Sequence, residues 1–156
     1  MGEFASTVQA DIRDGLADRH SRFAWETEFD VAGTPVDVAG RADDRLVLVE
    51  LEWRRADPVG NTAKLFRHLD SGALDAGQVT VVQVFSGYYD LARGGVSSKR
   101  LDAEFVGRVA ADALDALSYD SLDLDVDPPK RGGDPPPDWE AAVGDVVATI
   151  SERVGA

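Results

Sequence analysis

The chain contains no cysteine among its 156 residues, which excludes disulfides, thiolate nucleophiles and cysteine-ligated zinc. Its two histidines, His20 and His68, are too few for a histidine-rich metal centre. No apolar run nears the ~18 residues that a membrane-spanning helix requires. The opening MGEFASTVQADIRDGL has neither the basic start nor the apolar centre of a secretory signal. The patterns GxxxxGK[ST], GxGxxG and GxSxG are also missing, and with them the main warrant for a P-loop, Rossmann or α/β-hydrolase enzyme. These absences leave a cytoplasmic protein without a membrane partner, with a chain length that suits one domain and its own hydrophobic core.

Lysine is scarce as well, at 3 against 13 arginines, while aspartate outnumbers glutamate 21 to 8 and the net charge is −13. The acids are scattered along the whole chain. This texture resembles halophilic, salt-in archaeal proteins, whose carboxylate-rich surfaces stay soluble in molar salt. There the Debye length is only ~3 Å, so an acidic balance does not exclude a nucleic-acid partner. At low salt the same charge is self-repulsive and destabilising. A role as an acidic mimic of DNA would account for the charge but not for its even spread.

Hydrophobic periodicity organises the chain. Phe4, Val8, Ile12 and Leu16 recur every fourth residue, predicting a helix over about 4–19. Alternation then predicts a strand through Trp25, Thr27, Phe29 and Val31, a turn at Gly33–Pro35, a second strand over 36–40 and a third over 45–53, joined as an antiparallel meander. Asp57 to Asn61 reads as a loop before a helix over about 62–71, and Gln78–Phe85 as a central strand parallel to the third. A helix over about 99–117 is expected to turn Leu101, Phe105, Val109, Leu114 and Leu117 inward, and Leu122, Leu124 and Val126 to form an edge strand. The sum is an α/β fold, a small mixed sheet flanked by helices, over 1–127. A Pro/Gly-rich linker (128–137) and a C-terminal helix (138–156) that packs on the core complete it.

Three acids stand out. Asp37 lies mid-strand between Val36 and Val38, and Glu50 and Glu52 end the apolar run Leu46–Val49 on one face, since side chains alternate along a strand. Strands two and three are hairpin partners, so Asp37 can lie opposite Glu50. Converging carboxylates suit a hard divalent cation such as Mg²⁺, bound through one or two of them with water and phosphate completing the shell. The same residues also read as a solvated strand end in a chain with 29 acids. Arg54–Arg55 reads either as a phosphate contact or as a partner for Asp57. Lys130–Arg131 is a flexible basic turn, and Tyr88–Tyr89 follows the central strand where α/β sheets often bind ligands.

Asp37, twelve residues, then Glu50-Leu51-Glu52 resembles the core of the PD-(D/E)XK nuclease superfamily, as does the order helix, three-strand meander, helix, strand, helix over residues 4–117. Glu52 stands where that pattern has lysine. The restriction-endonuclease branch typified by BglII and BamHI departs similarly, with Glu or Gln there. The resemblance implies a restriction-endonuclease-like core and a Mg²⁺- or Mn²⁺-dependent endonuclease hydrolysing DNA. Asp37 and Glu50 would be metal ligands, Glu52 would orient or deprotonate water, and Lys64 would supply positive charge to the phosphate. Glu26 or Glu28 would line the rim. A homodimer would match a two-fold symmetric target. The alternative is a nuclease-like fold without activity, serving as an interaction or regulatory module. The absent lysine and the little room for base-reading segments motivate it.

Overall fold

Leu46, Val47, Leu48 and Val49 are each at most 1 % exposed because both faces of their strand are covered. In the computed structural model, which describes residues 2–155, a helix α1 (Glu3–Arg19) leads into the meander β1 (Ala24–Val31), β2 (Thr34–Ala42) and β3 (Arg45–Glu52). Helix α2 (Pro58–Asp70), strand β4 (Gln78–Phe85), helix α3 (Ser98–Ala113), strand β5 (Leu117–Asp123) and helix α4 (Trp139–Gly155) follow. The five strands lie in sequence order with β3 central. The first two pairings are antiparallel and the last two parallel, each parallel step made through a helical crossover.

On one face, Val8, Ile12 and Leu16 of α1 and Val143, Val147 and Ile150 of α4 pack on Val47, Val49 and Leu51. On the other, Leu65 and Phe66 of α2 cover Leu46, Leu48 and Val81. The mixed sheet with helices on both sides is therefore the fold expected from periodicity. Residues 124–138 carry no helix or strand, although Leu124 and Val126 are buried in the first core.

Three local expectations need correction. Helix α2 starts at Pro58, because Pro suits the first helical position and the Asp57 carboxylate caps it by accepting from the Gly60 amide at 3.0 Å. The presumed loop is thus its first turn, which brings Asn61 onto the helix. Strand β5 begins at Leu117, a residue expected in the preceding helix, and ends before Leu124.

The inward face of α3 is also different. Leu101, Phe105 and Val109 are 52 %, 61 % and 48 % exposed, whereas Arg100, Ala103 and Gly107 are buried. Small residues let the helix come close, and a Cβ on Gly107 would sit 2.3 Å from the Tyr119 ring. Arg100 tolerates burial because its guanidinium lies 4.8 Å above the Phe85 ring and pairs with Glu104 at 3.5 Å and with Asp123. Periodicity located the helix but selected the wrong stripe.

Candidate functional site

Hydrogen-bonded pairing between β2 and β3 runs to Val38–Val49, and one further step of that register sets Asp37 across from Glu50. There the ladder changes character, because the Leu51 amide donates to Asp37 Oδ2 at 2.6 Å rather than to a carbonyl. Glu50 and Glu52 share the face of Leu46 and Leu48, beneath α2. Asp37, Glu50 and Glu52 are only 8 %, 5 % and 0 % exposed, so the strand end is no solvated fringe.

A polar row crosses the sheet at this level. Glu28 stands beside Asp37, between the pairs Thr27–Val38 and Phe29–Val36, with a left-handed φ of 53°. Gln9 of α1 ties the two strands, donating to Glu28 Oε1 at 3.0 Å and to the Asp37 carbonyl at 2.7 Å. On the other side Gln83 pairs with Glu50, and Ser121 with Gln83.

The three acids differ in how they are held. Glu52 Oε1 accepts from Asn61 Nδ2 and from Gln83 Nε2, both at 3.1 Å, and its Oε2 lies 3.3 Å from Arg55 Nε. Gln83 is itself fixed, donating to Thr62 Oγ1 at 2.7 Å and accepting from the Tyr119 hydroxyl at 2.6 Å. Glu50 has no such support, and its Oε1 is buried without a hydrogen-bond partner. It stands across from Asp37 in the extended β2–β3 register, so each acid bears on the other's ionisation. Beside it, Glu50, Asn61, Thr62, Gln83 and Tyr119 border a cavity of about 10 Å³, roughly the space of one water.

These surroundings set the protonation states. Burial pushes the Asp37 carboxyl up from 3.8 to about 6, against the hydrogen bond from Leu51. Burial, followed by the charges of Asp37 and Glu52, raises Glu50 well above its ordinary value. Burial also raises Glu52, opposed by hydrogen bonds from Gln83 and Asn61 and by Arg55. Two facing acids with raised pKa values, one carrying an uncommitted oxygen, and a third acid held by donors make a site that can accept a proton or a cation.

The structure thus gathers Asp37, Glu50 and Glu52 but not Lys64. That lysine is exposed on α2, one turn beyond Asn61, and pairs with none of the described carboxylates. The cation that reaches the acids is Arg55, whose side chain is 52 % exposed. Glu26 pairs with Ala39 across β1 and β2, above the polar row. Sequence reasoning passed over Gln83, Asn61 and Tyr119. The available signal was Gln83 itself, a polar side chain inside the otherwise apolar run Val81–Phe85.

Among the described residues, no three His, Asp or Glu side chains are arranged to hold a metal ion by themselves. Two carboxylates suffice as protein ligands for Mg²⁺, and Asp37 with Glu50, whose Oε1 is orphaned, supplies that number. No helix of the described residues is long and apolar enough to cross a membrane. No protein-family model matches the chain, and neither does any curated protein.

Proposed function

We propose that the protein is a divalent-metal-dependent endonuclease acting on DNA in the cytoplasm, with Asp37 and Glu50 as the ligands of Mg²⁺ or Mn²⁺. One observation carries this reading: Glu50 is buried against a second acid with an oxygen that nothing in the fold satisfies. A buried carboxylate without a structural partner is destabilising, and a cation bound to Glu50 would relieve that cost. Bound there, the cation would polarise the scissile phosphate and acidify an attacking water.

The remaining roles fall to the chain's own groups. Glu52 is held in one orientation by Gln83 and Asn61, and its raised pKa makes it a better proton acceptor than an ordinary carboxylate. Arg55 takes the role expected of Lys64. It balances Glu52 on one side and is exposed on the other, where a phosphate oxygen can approach.

A two-fold dimer is the proposed working unit, joined through α3. Leu101, Phe105 and Val109 form an exposed stripe, and antiparallel pairing of two copies brings Lys99 of each helix to the end that carries Asp112 of the other.

Calorimetry with Mg²⁺ and Mn²⁺ in molar KCl tests the metal site. Binding is expected for the wild type and lost in Glu50→Ala, and a wild type that takes up neither ion sinks the reading. Incubation of the metal-loaded protein with plasmid and single-stranded DNA then separates an enzyme from an inactive nuclease-like module, which would bind the ion and cleave neither.

A further inference from the structure

The strand that ends in Glu52 continues directly into a second feature on the opposite face of the sheet. Trp53 points toward α1 and α4, where it meets Phe4 edge-on at 5.4 Å, and Phe4 in turn meets Trp139 at 5.2 Å. Beyond this aromatic group opens a cleft of about 770 Å³ between the first turn of α1, the Trp53–Arg54 corner and the turn Pro129–Gly132. Its charged lining is Arg54, Lys130 and Arg131 against one carboxylate, Glu3.

That balance runs against the rest of the chain, which holds 29 acids to 16 bases. Three cations from two parts of the chain more than 70 residues apart converge on one cleft. Among the described residues none of them is in an ion pair. Arg54 lies 5.9 Å from the Tyr88 ring and donates to the Pro129 carbonyl at 3.3 Å, which ties the basic turn to the strand end. Holding like charges together unpaired is unfavourable in the free protein, and an anionic ligand relieves it. The first turn of α1 adds main-chain amides, since no side chain caps that helix.

We propose that this cleft binds one strand of the nucleic-acid substrate beside the cleavage site, with its phosphates on Arg54, Lys130 and Arg131 and a base against Trp53. The proposal rests on the nuclease reading for its substrate and deepens it by assigning where the uncleaved part of the strand lies. A basic groove with an aromatic platform is the physical pattern of strand binding that is tolerant of sequence. Glu52, Trp53 and Arg54 are consecutive, so a strand seated in the cleft crosses the carboxyl ends of β3 and β4 and arrives at the acids on the other face. Adjacent phosphates therefore meet different tasks, one held and one cleaved. The site also gives Arg54 and the pair Lys130–Arg131 a common purpose.

The test uses a fluorescein-labelled single-stranded oligothymidylate in EDTA, at the lowest salt at which circular dichroism shows the fold intact. The wild type is expected to bind with quenching of tryptophan emission. The variant R54A/K130A/R131A is expected to lose about tenfold or more in affinity, and the slope of log affinity against log salt should fall by roughly two for three lost phosphate contacts. Trp53→Phe should bind with its quenching much reduced. Inorganic phosphate in place of the oligonucleotide separates a strand site from a simple anion site, and effective competition by millimolar phosphate overturns the assignment. Unchanged affinity in the triple variant overturns it too, as does a wild type that does not bind. Mg²⁺ calorimetry on the triple variant keeps the two readings apart. Intact metal binding with lost strand binding supports the cleft, whereas strand binding that maps to the cleft in a protein that takes up no metal removes the nuclease reading alone.

Discussion

Gln83 lies beside Glu50 in the parallel register yet gives its amide to Glu52, two residues further along β3. The Gln83 amide therefore stabilises the ionised form of one acid and leaves its neighbour without a donor. With Asn61 and Arg55, which also serve Glu52 alone, this side chain separates a held carboxylate from an uncommitted one.

Replacing Gln83 with Leu should raise the pKa of Glu52 further, because the removed hydrogen bond favours its ionised form. The acidic limb of a cleavage pH profile should then move to higher pH. The Tyr119 hydroxyl and Thr62 lose a partner as well, so unfolding in urea should show a loss of about 1–3 kcal/mol. An unmoved pH profile would mean that Glu52 is not the titrating group.

The metal-free protein should lose stability as the pH rises. Asp37, raised from 3.8 to about 6, holds its proton in the folded state across a window where the unfolded chain has released it. The folded state then binds more protons, and stability falls with pH through that window, by roughly 3 kcal/mol for a shift of this size. Glu50 is raised as well and extends the fall upward. Urea titrations in EDTA should show the decline between about pH 4 and 7, and Glu50→Gln should remove its upper part while the fall due to Asp37 remains. Added Mg²⁺ should restore stability to the wild type at the upper end of the range but not to the Gln variant.

Gly107→Val should be strongly destabilising, because even its first carbon would fall 2.3 Å from the Tyr119 ring. Overpacking of this kind costs about 1–3 kcal/mol, readable as a lower urea midpoint. The shift in Tyr119 also loosens its hydrogen bond to Gln83, so Mg²⁺ affinity should weaken in the same variant.

Phe105→Glu places a charge at the centre of the exposed α3 stripe and touches no buried group. Sedimentation velocity should show a dimer for the wild type and a monomer for the variant, with matching circular dichroism. A wild type that sediments as a monomer at all accessible concentrations removes the dimer from the proposal.

Much of this architecture can be read from periodicity. Leu46–Val49 and the β-branched run around Val81 and Val82 are buried on both faces, and their short apolar, β-branched character marks them as central strands. The start of α2 was obscured because Asp-Pro-Val-Gly-Asn has the composition of a loop, while Pro at the first helical position and Asp at the cap make it a helix start. The face of α3 was misread because a buried arginine over Phe85 and a glycine under Tyr119 are visible only once the sheet is assembled. In the acidic group, the two-residue step from Glu50 to Glu52 and the hairpin placement of Asp37 follow from strand geometry. Which cation joins them does not. Lys64 and Arg55 are both near in sequence, and the helix phase set by Asp57 and Pro58 turns Lys64 toward solvent.

Asp37 does two things at once. Its carboxylate takes the Leu51 amide that the β2–β3 ladder no longer serves, so it fastens the hairpin as well as facing Glu50. Glu50 has no comparable duty. A lineage that ceased to need the site could exchange Glu50 for a hydrophobic residue and gain stability, while Asp37 would persist as a fastener. Among descendants of this fold, the survival of Asp37 would therefore say little about chemistry, and the erosion of Glu50 would be the first sign that it had ended.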